Sequence, residues 1–166
     1  KRCLRLKLDR MNGMKRTDYC GTLTKEKIDT EVVVAGWVQR QRDLGGLIFV
    51  DLRDRSGIVQ LAFDDTTDKA VFEKATALRS EFVVMAKGKV RMRSSVNTEI
   101  PTGNIEIEVT ELKILGASET PPFEILPETG VKEDLRLKYR YLDLRRAPLQ
   151  RNIMLRHKIA KVTRDY

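Results

Sequence analysis

Between residues 31 and 115 a short alternating pattern of apolar and polar residues occurs five times, and one helical stretch interrupts it after the third. Strands present alternate side chains to opposite faces, so such segments fold into a sheet or barrel with one dry face. The expected strands are 31–42, 47–54, 58–63, 81–93 and 105–115. Asp43-Leu44-Gly45-Gly46 and Arg55-Ser56-Gly57 are turn sequences, which makes the first three strands a meander. Residues 64–79 change period: Asp64-Asp65-Thr66-Thr67 supplies cap candidates, and Phe72, Ala75 and Leu78, or Val71, Ala75 and Leu78, fall at helical spacing. Three strands, a helix and two strands is the order of an OB-fold, a mainly β, five-stranded Greek-key barrel with one helix between strands 3 and 4. An SH3-like barrel would not need the helix. The expected core is Val33/Val34, Ile48, Val50, Leu52, Val59, Leu61, Val83 and Ile107, with Trp37 packed inside and a bulge or sharp bend at Gly36.

The barrel accounts for residues 14–116. Residues 1–13 read as a basic leader. Pro121, Pro122 and Pro127 mark a hinge over 117–146, because proline restricts itself and its predecessor. Pro148 opens a terminal helix over 147–166, with Leu155, Ile159, Val162 and Tyr166 on one face. That face calls for a partner surface, so the chain is expected to be truncated.

The net charge is +8. It is +6 over residues 1–16, −5 over 17–131 and +7 over 132–166, so the expected barrel belongs to the acidic middle. The bulk charge suggests an anionic partner, yet it does not describe the barrel. No apolar run approaches the ~20 residues of a membrane span, and none forms a secretory signal.

Catalytic patterns are missing from the sequence. His157 is the single histidine and falls on the terminal helix; Cys3 and Cys20 fit no zinc or redox spacing; Gly45-Gly46 lacks the other glycines of a dinucleotide loop. Binding chemistry fits better. In the second strand Ile48, Val50 and Leu52 form an aliphatic face, leaving Phe49 outward beside Asp51 and Arg53. Gln60, between Val59 and Leu61, also points outward. An aromatic platform beside an amide suits an unstacked base. Read alone, Phe49 also fits a core position after a register shift, and Gln60 a solvated strand position. Arg40, Arg42, Arg91 and Arg93 stand at strand ends, where they hold phosphates or base edges, or form solvated rims. Asn97 and Glu106 are single polar residues in a loop and on a strand.

The run RQRDLGGLIFVDLRDRSGIVQL over 40–61, the segments TDYCG at 17–21, GWV at 36–38, PTGNIE at 101–106 and TPPF at 120–123, and LRLKYRYLDLRR at 135–146 resemble the N-terminal part of bacterial-type aspartyl-tRNA synthetases. The resemblance covers about residues 14–166. It implies an anticodon-binding OB-fold for tRNA-Asp, in which Phe49 stacks the middle uridine and Gln60 hydrogen-bonds it. Arg42, Arg91 or Arg93, Asn97 and Glu106 would contact flanking bases and phosphates, with Arg40 at the rim. Gln41 stands where many relatives place a basic residue. The family's class II enzyme activates aspartate with ATP and Mg²⁺ and esterifies it to tRNA. It is cytoplasmic and homodimeric. Its catalytic domain would follow Tyr166, so this stretch is expected to bind RNA without catalysing, with no cofactor or metal of its own. A generic single-strand-binding OB module, the anticodon domain of an asparaginyl or lysyl relative, and a dimerising domain are the other readings.

Overall fold

The structure, a computed structural model, describes residues 14–166; the basic leader and Cys3 lie outside the described residues. The chain divides into two compact units, with the boundary between residues 120 and 121. The first is a closed barrel of β1 (Glu31–Asp43), β2 (Ile48–Arg53), β3 (Ile58–Phe63), β4 (Val83–Met92) and β5 (Ile105–Gly116), with α1 (Lys69–Thr76) between β3 and β4. Its strand order is β1-β2-β3-β5-β4, closed by β1 against β4. The β3–β5 pairing is parallel and the others antiparallel. The mainly β OB-fold expected from the sequence is therefore the fold observed, and the strand boundaries agree closely.

The barrel closes around Val34, Val38, Ile48, Val50, Leu52, Val59, Leu61, Phe63, Val84, Val90, Ile107 and Leu112, all buried. Burial in β2 alternates strictly, because Ile48, Val50 and Leu52 line the buried face and Phe49, Asp51 and Arg53 the outer one. Three expectations are corrected. Val84, not Val83, enters the core: the β4–β5 register shifts between these residues, and Glu81 just before them takes a left-handed φ of 65°. Val33 packs outside the main core, with Met14 and Met85. Trp37 is half-buried and stays out of the core, because Val34, Gly36 and Val38 hold the inward positions around it.

Gly36 makes no bulge. A Cβ there would stand 2.3 Å from the carbonyl oxygen of Arg53, so the glycine permits β1 and β2 to approach. The bulge falls between Val38 and Arg40. Gly88 serves the same purpose on β4, where a Cβ would lie 2.1 Å from the Glu108 carbonyl oxygen.

The N-cap of α1 is Asp68, whose side chain accepts from Ala70 N; the preceding Asp64 and Thr67 close the turn before it. Val71, Ala75 and then Leu78 plug one end of the core. Gln41 Nε2 donates to the carbonyls of Ala75, at 2.8 Å, and Thr76, at 3.3 Å. Both carbonyls belong to the last turn of the helix, where Leu78 N also donates to Ala75 O and Arg79 Nη1 to Thr76 O.

The second unit contains α2 (Glu133–Lys138), α3 (Arg140–Asp143) and α4 (Ala147–Asp165). Part of the stretch expected as hinge is therefore helical. Phe123, Ile125 and Leu142 form a small core there, with Val131, Leu135 and Tyr139 against it. Asp143, fully buried, accepts from Arg146 and Arg140, and Arg146 also donates to the carbonyls of Leu126 and Pro127. Leu155, Ile159, Val162 and Tyr166 are exposed, as is His157.

Candidate nucleic-acid interface

Strand register places the polar residues of the barrel in rows. Arg40 (β1) faces Asp51 (β2), Asp51 faces Gln60 (β3), Gln60 faces Glu106 (β5), and Glu106 faces Arg91 (β4). A second row, two residues away on each strand, runs Arg42, Phe49, Ala62, Glu108 and Lys89. A two-residue step keeps side chains on one face. One outer surface across all five strands thus carries six of the eight site residues read from the sequence: Arg40, Arg42, Phe49, Gln60, Arg91 and Glu106.

Phe49 is half-buried, and the Arg42 guanidinium carbon stands 5.8 Å from its ring centroid. A ring flanked by an arginine is a surface on which a base can stack. Gln60 is not a solvated amide, which is one of its two readings from the sequence. It is 3% exposed, and both ends of its amide are engaged: Oε1 accepts from Arg42 Nη2 at 3.1 Å, and Nε2 donates to Glu106 Oε2 at 2.8 Å. Arg42 Nη2 also donates to Asp51 Oδ1 at 2.9 Å. On the far side Arg91 bridges Glu106, Asp64 and Glu108 at 2.9, 3.0 and 3.1 Å.

These bonds form one connected chain, Asp51–Arg42–Gln60–Glu106–Arg91–Asp64. Burial works against the charge on Arg91, but the bonds to Glu106 and Asp64 outweigh it and hold the guanidinium protonated more firmly than usual. The Thr66 hydroxyl foremost, and Arg91 after it, hold the Asp64 carboxyl below the usual carboxylate range, against the opposing effect of burial. Asp51, Asp64 and Glu108 were not singled out from the sequence. They are the carboxylates that neutralise and aim the two arginines.

The other two expected residues, Arg93 and Asn97, lie outside the paired rows. Arg93 has left β4; its backbone N–H donates to Asn104 O, and its Nε is buried without a hydrogen-bond partner, as is Nε of Arg42. Asn97 belongs to the loop joining β4 and β5. Its side chain accepts from Glu99 N at 2.9 Å, and its backbone N–H donates to Gly103 O. That bonding shapes the loop and does not extend the rows. Among the described residues no group of three or more His, Cys, Asp and Glu is placed to hold a metal ion. No helix among them is long and apolar enough to cross a membrane.

Residues 32–115 match the model of the OB-fold nucleic acid binding domain. The chain belongs to that family. Within it, this OB-fold domain is of the anticodon-binding type found in aspartyl-tRNA synthetases, and the resemblance read from the sequence is borne out. An aspartate–tRNA(Asp/Asn) ligase of Halothermothrix orenii is 54% identical over 158 residues, covering 94% of this chain and 27% of that protein. An aspartate–tRNA ligase of Limosilactobacillus fermentum is 52% identical over 153 residues, covering 92% and 26%. The crystal structure of asparaginyl-tRNA synthetase from Pyrococcus horikoshii, complexed with asparaginyl-adenylate, superposes on 80% of this chain and 29% of its own, with a TM-score of 0.65 and 29% identity. The chain thus spans about a quarter of the length of the curated relatives it matches.

Proposed function

We propose that this OB-fold domain reads the anticodon loop of tRNA-Asp on behalf of an aspartate–tRNA ligase. The observation that carries the proposal is the outer face itself: a half-buried Phe49 ring stands beside a hydrogen-bonded row of donors and acceptors that includes Gln60 and Glu106. Stacking on the ring is tolerant of base identity, whereas amide, carboxylate and guanidinium groups held in fixed orientations select a base edge. The similarity to aspartate–tRNA ligases over more than nine-tenths of the chain supports the choice of tRNA. Phe49 takes the middle anticodon base and Gln60 its edge. Arg42 and Glu106 serve the neighbouring bases. Arg40 and Arg93 serve the backbone, and Asn97 shapes the flanking loop.

The longer protein, in this reading, is a cytoplasmic, homodimeric class II ligase that activates aspartate with ATP and Mg²⁺. The OB-fold domain supplies selection of the tRNA, and none of its residues takes part in the chemistry. Titration of the 166-residue chain with an RNA hairpin carrying the anticodon stem and loop of tRNA-Asp tests the proposal. Saturable binding that weakens when the middle anticodon base is changed is expected. Indifference to the anticodon sequence would instead leave a generic single-strand-binding module.

A further inference from the structure

Most of the positive charge on the base-reading face is already neutralised within the protein. Arg42 bonds to Asp51, Arg91 to three carboxylates, and Lys89 to Asp29. A polyanion gains affinity chiefly where it replaces counterions on cationic groups that lack a partner in the protein. Such groups occur together at another place on the barrel.

Two arginines stand against the Tyr19 ring. The guanidinium carbon of Arg16 stands 4.0 Å from the ring centroid, and that of Arg55 4.6 Å. Arg55 Nη2 also donates to the Tyr19 hydroxyl at 2.9 Å. The two segments that bring these residues together are locked to each other. Cys20 N donates to Asp54 Oδ2 and Gly21 N to Ser56 Oγ, both at 2.8 Å. A Cβ on Gly21 would stand 2.3 Å from Ser56 O, so only glycine permits this approach.

The nearby carboxylates are committed elsewhere. Asp54 accepts from Cys20, Ser56 and Gly57, and Asp18 pairs with Lys27 and accepts from Thr17. No carboxylate among the described residues pairs with Arg16 or Arg55. Two guanidiniums are therefore held in position by a ring and left without a counter-charge. Guanidinium stacked on an aromatic plane keeps its N–H fork available for a phosphate.

We propose that Arg16, Tyr19 and Arg55 form a phosphodiester-binding post for the backbone of the bound RNA, separate from the rows that read bases. The proposal rests on the reading of the barrel as an RNA-binding domain and adds a second contact to it. Arg55 follows Asp51 by four residues along the chain, at most about 13 Å at strand rise. One RNA loop can therefore touch both places. The post supplies affinity and salt dependence, and the Phe49–Gln60 face supplies selectivity.

The test measures binding of the tRNA-Asp anticodon hairpin to the 166-residue chain across a series of salt concentrations. Arg16→Gln/Arg55→Gln is expected to weaken binding about tenfold at low salt, and to make the slope of log K against log salt shallower by about 1. Preference for the tRNA-Asp hairpin over one with a changed middle base should be unaltered. Arg16→Lys/Arg55→Lys should restore most of the slope. Arg55→Gln alone, at an exposed turn, should change the slope in the same direction, which keeps the test valid if the double variant does not fold. Slope and affinity equal to wild type would overturn the phosphate post, and so would a loss of base preference in the double variant. Failure of the wild-type chain to bind the hairpin would overturn the anticodon reading itself.

Discussion

Gln60 and Glu106 face each other across the one parallel pairing among the described strands, and Gln60 Nε2 donates to Glu106 Oε2 at 2.8 Å. The carboxylate accepts from the NH₂ end of the amide, so the oxygen end is left for Arg42. Glu106 thereby sets which way the Gln60 amide points, and Arg91 holds Glu106 from behind.

Removing Glu106 should therefore cost stability as well as recognition. Glu106→Ala leaves Gln60 Nε2 and Arg91 Nε without their acceptor inside a buried network. About 1–3 kcal/mol of unfolding free energy should be lost, the usual cost of an orphaned buried polar group. Glu106→Gln, which keeps one acceptor oxygen, should lose less. Urea denaturation of both variants checks this order, and an Ala variant as stable as wild type would refute it.

Phe49 should behave in the opposite way. Its ring lies on the outer face and contributes little to the core, so Phe49→Ala should leave the urea midpoint nearly unchanged. RNA binding should fall by about 1–3 kcal/mol, the contribution of one stacked base. Titration with the tRNA-Asp anticodon hairpin reads the loss directly. Unchanged affinity would remove Phe49 from the interface.

Arg53 and Glu81 form the most buried ion pair of the barrel: Arg53 Nη2 donates to both carboxylate oxygens, at 2.8 and 2.9 Å. Arg53→Met takes away both bonds that Arg53 gives to a carboxylate that is 5% exposed. It should cost on the order of 3 kcal/mol, the usual cost of removing one partner of a buried ion pair. The double variant Arg53→Met/Glu81→Leu should recover part of that loss. Comparison of the two urea midpoints checks it.

Acid should unfold the barrel over a defined range. Burial pushes the Asp54 carboxyl up, but the bonds it accepts from Ser56, Cys20 and Gly57 outweigh burial, and it stays below its ordinary value of 3.8. Asp64 is held below the same value, chiefly by Thr66 and Arg91. Folded-state values below the unfolded ones mean that the unfolded chain takes up protons first as pH falls. The stability these groups contribute is complete above the unfolded value, near 3.9, and is lost as pH falls through the folded values. The urea midpoint should therefore stay level from about pH 7 to about 5 and drop below about 4. Asp54→Asn should start lower and fall less steeply. An acid profile identical to wild type would show that the turn carboxylate contributes nothing.

Which residues share the candidate face is largely legible in the sequence, and the reason is local. Ile48, Val50 and Leu52 are wholly aliphatic, so period two alone turns Phe49 and Asp51 outward, as observed. What escaped the sequence depends on pairing across long separations. Gln60 meets Glu106 from 46 residues away, through a parallel register that no local pattern encodes. For the same reason the sequence does not show that Gln60 is buried, or that Asp64, a cap candidate by its sequence, and Glu108 hold Arg91. Gln41 reads as a missing basic residue, whereas its amide completes the end of α1, 34 residues further on. The phase error at Val83 has a local cause that lies in backbone geometry: nothing in the strand pattern announces a left-handed glutamate at Glu81.

If the outer face of the barrel reads the anticodon loop of tRNA-Asp, anticodon hairpins of tRNA-Asp and tRNA-Lys should compete unequally for the 166-residue chain. A competition titration should show a preference for the aspartate hairpin of about tenfold or more, the equivalent of one well-made base contact of ~1.4 kcal/mol. Equal binding of the two hairpins would remove anticodon reading from this face.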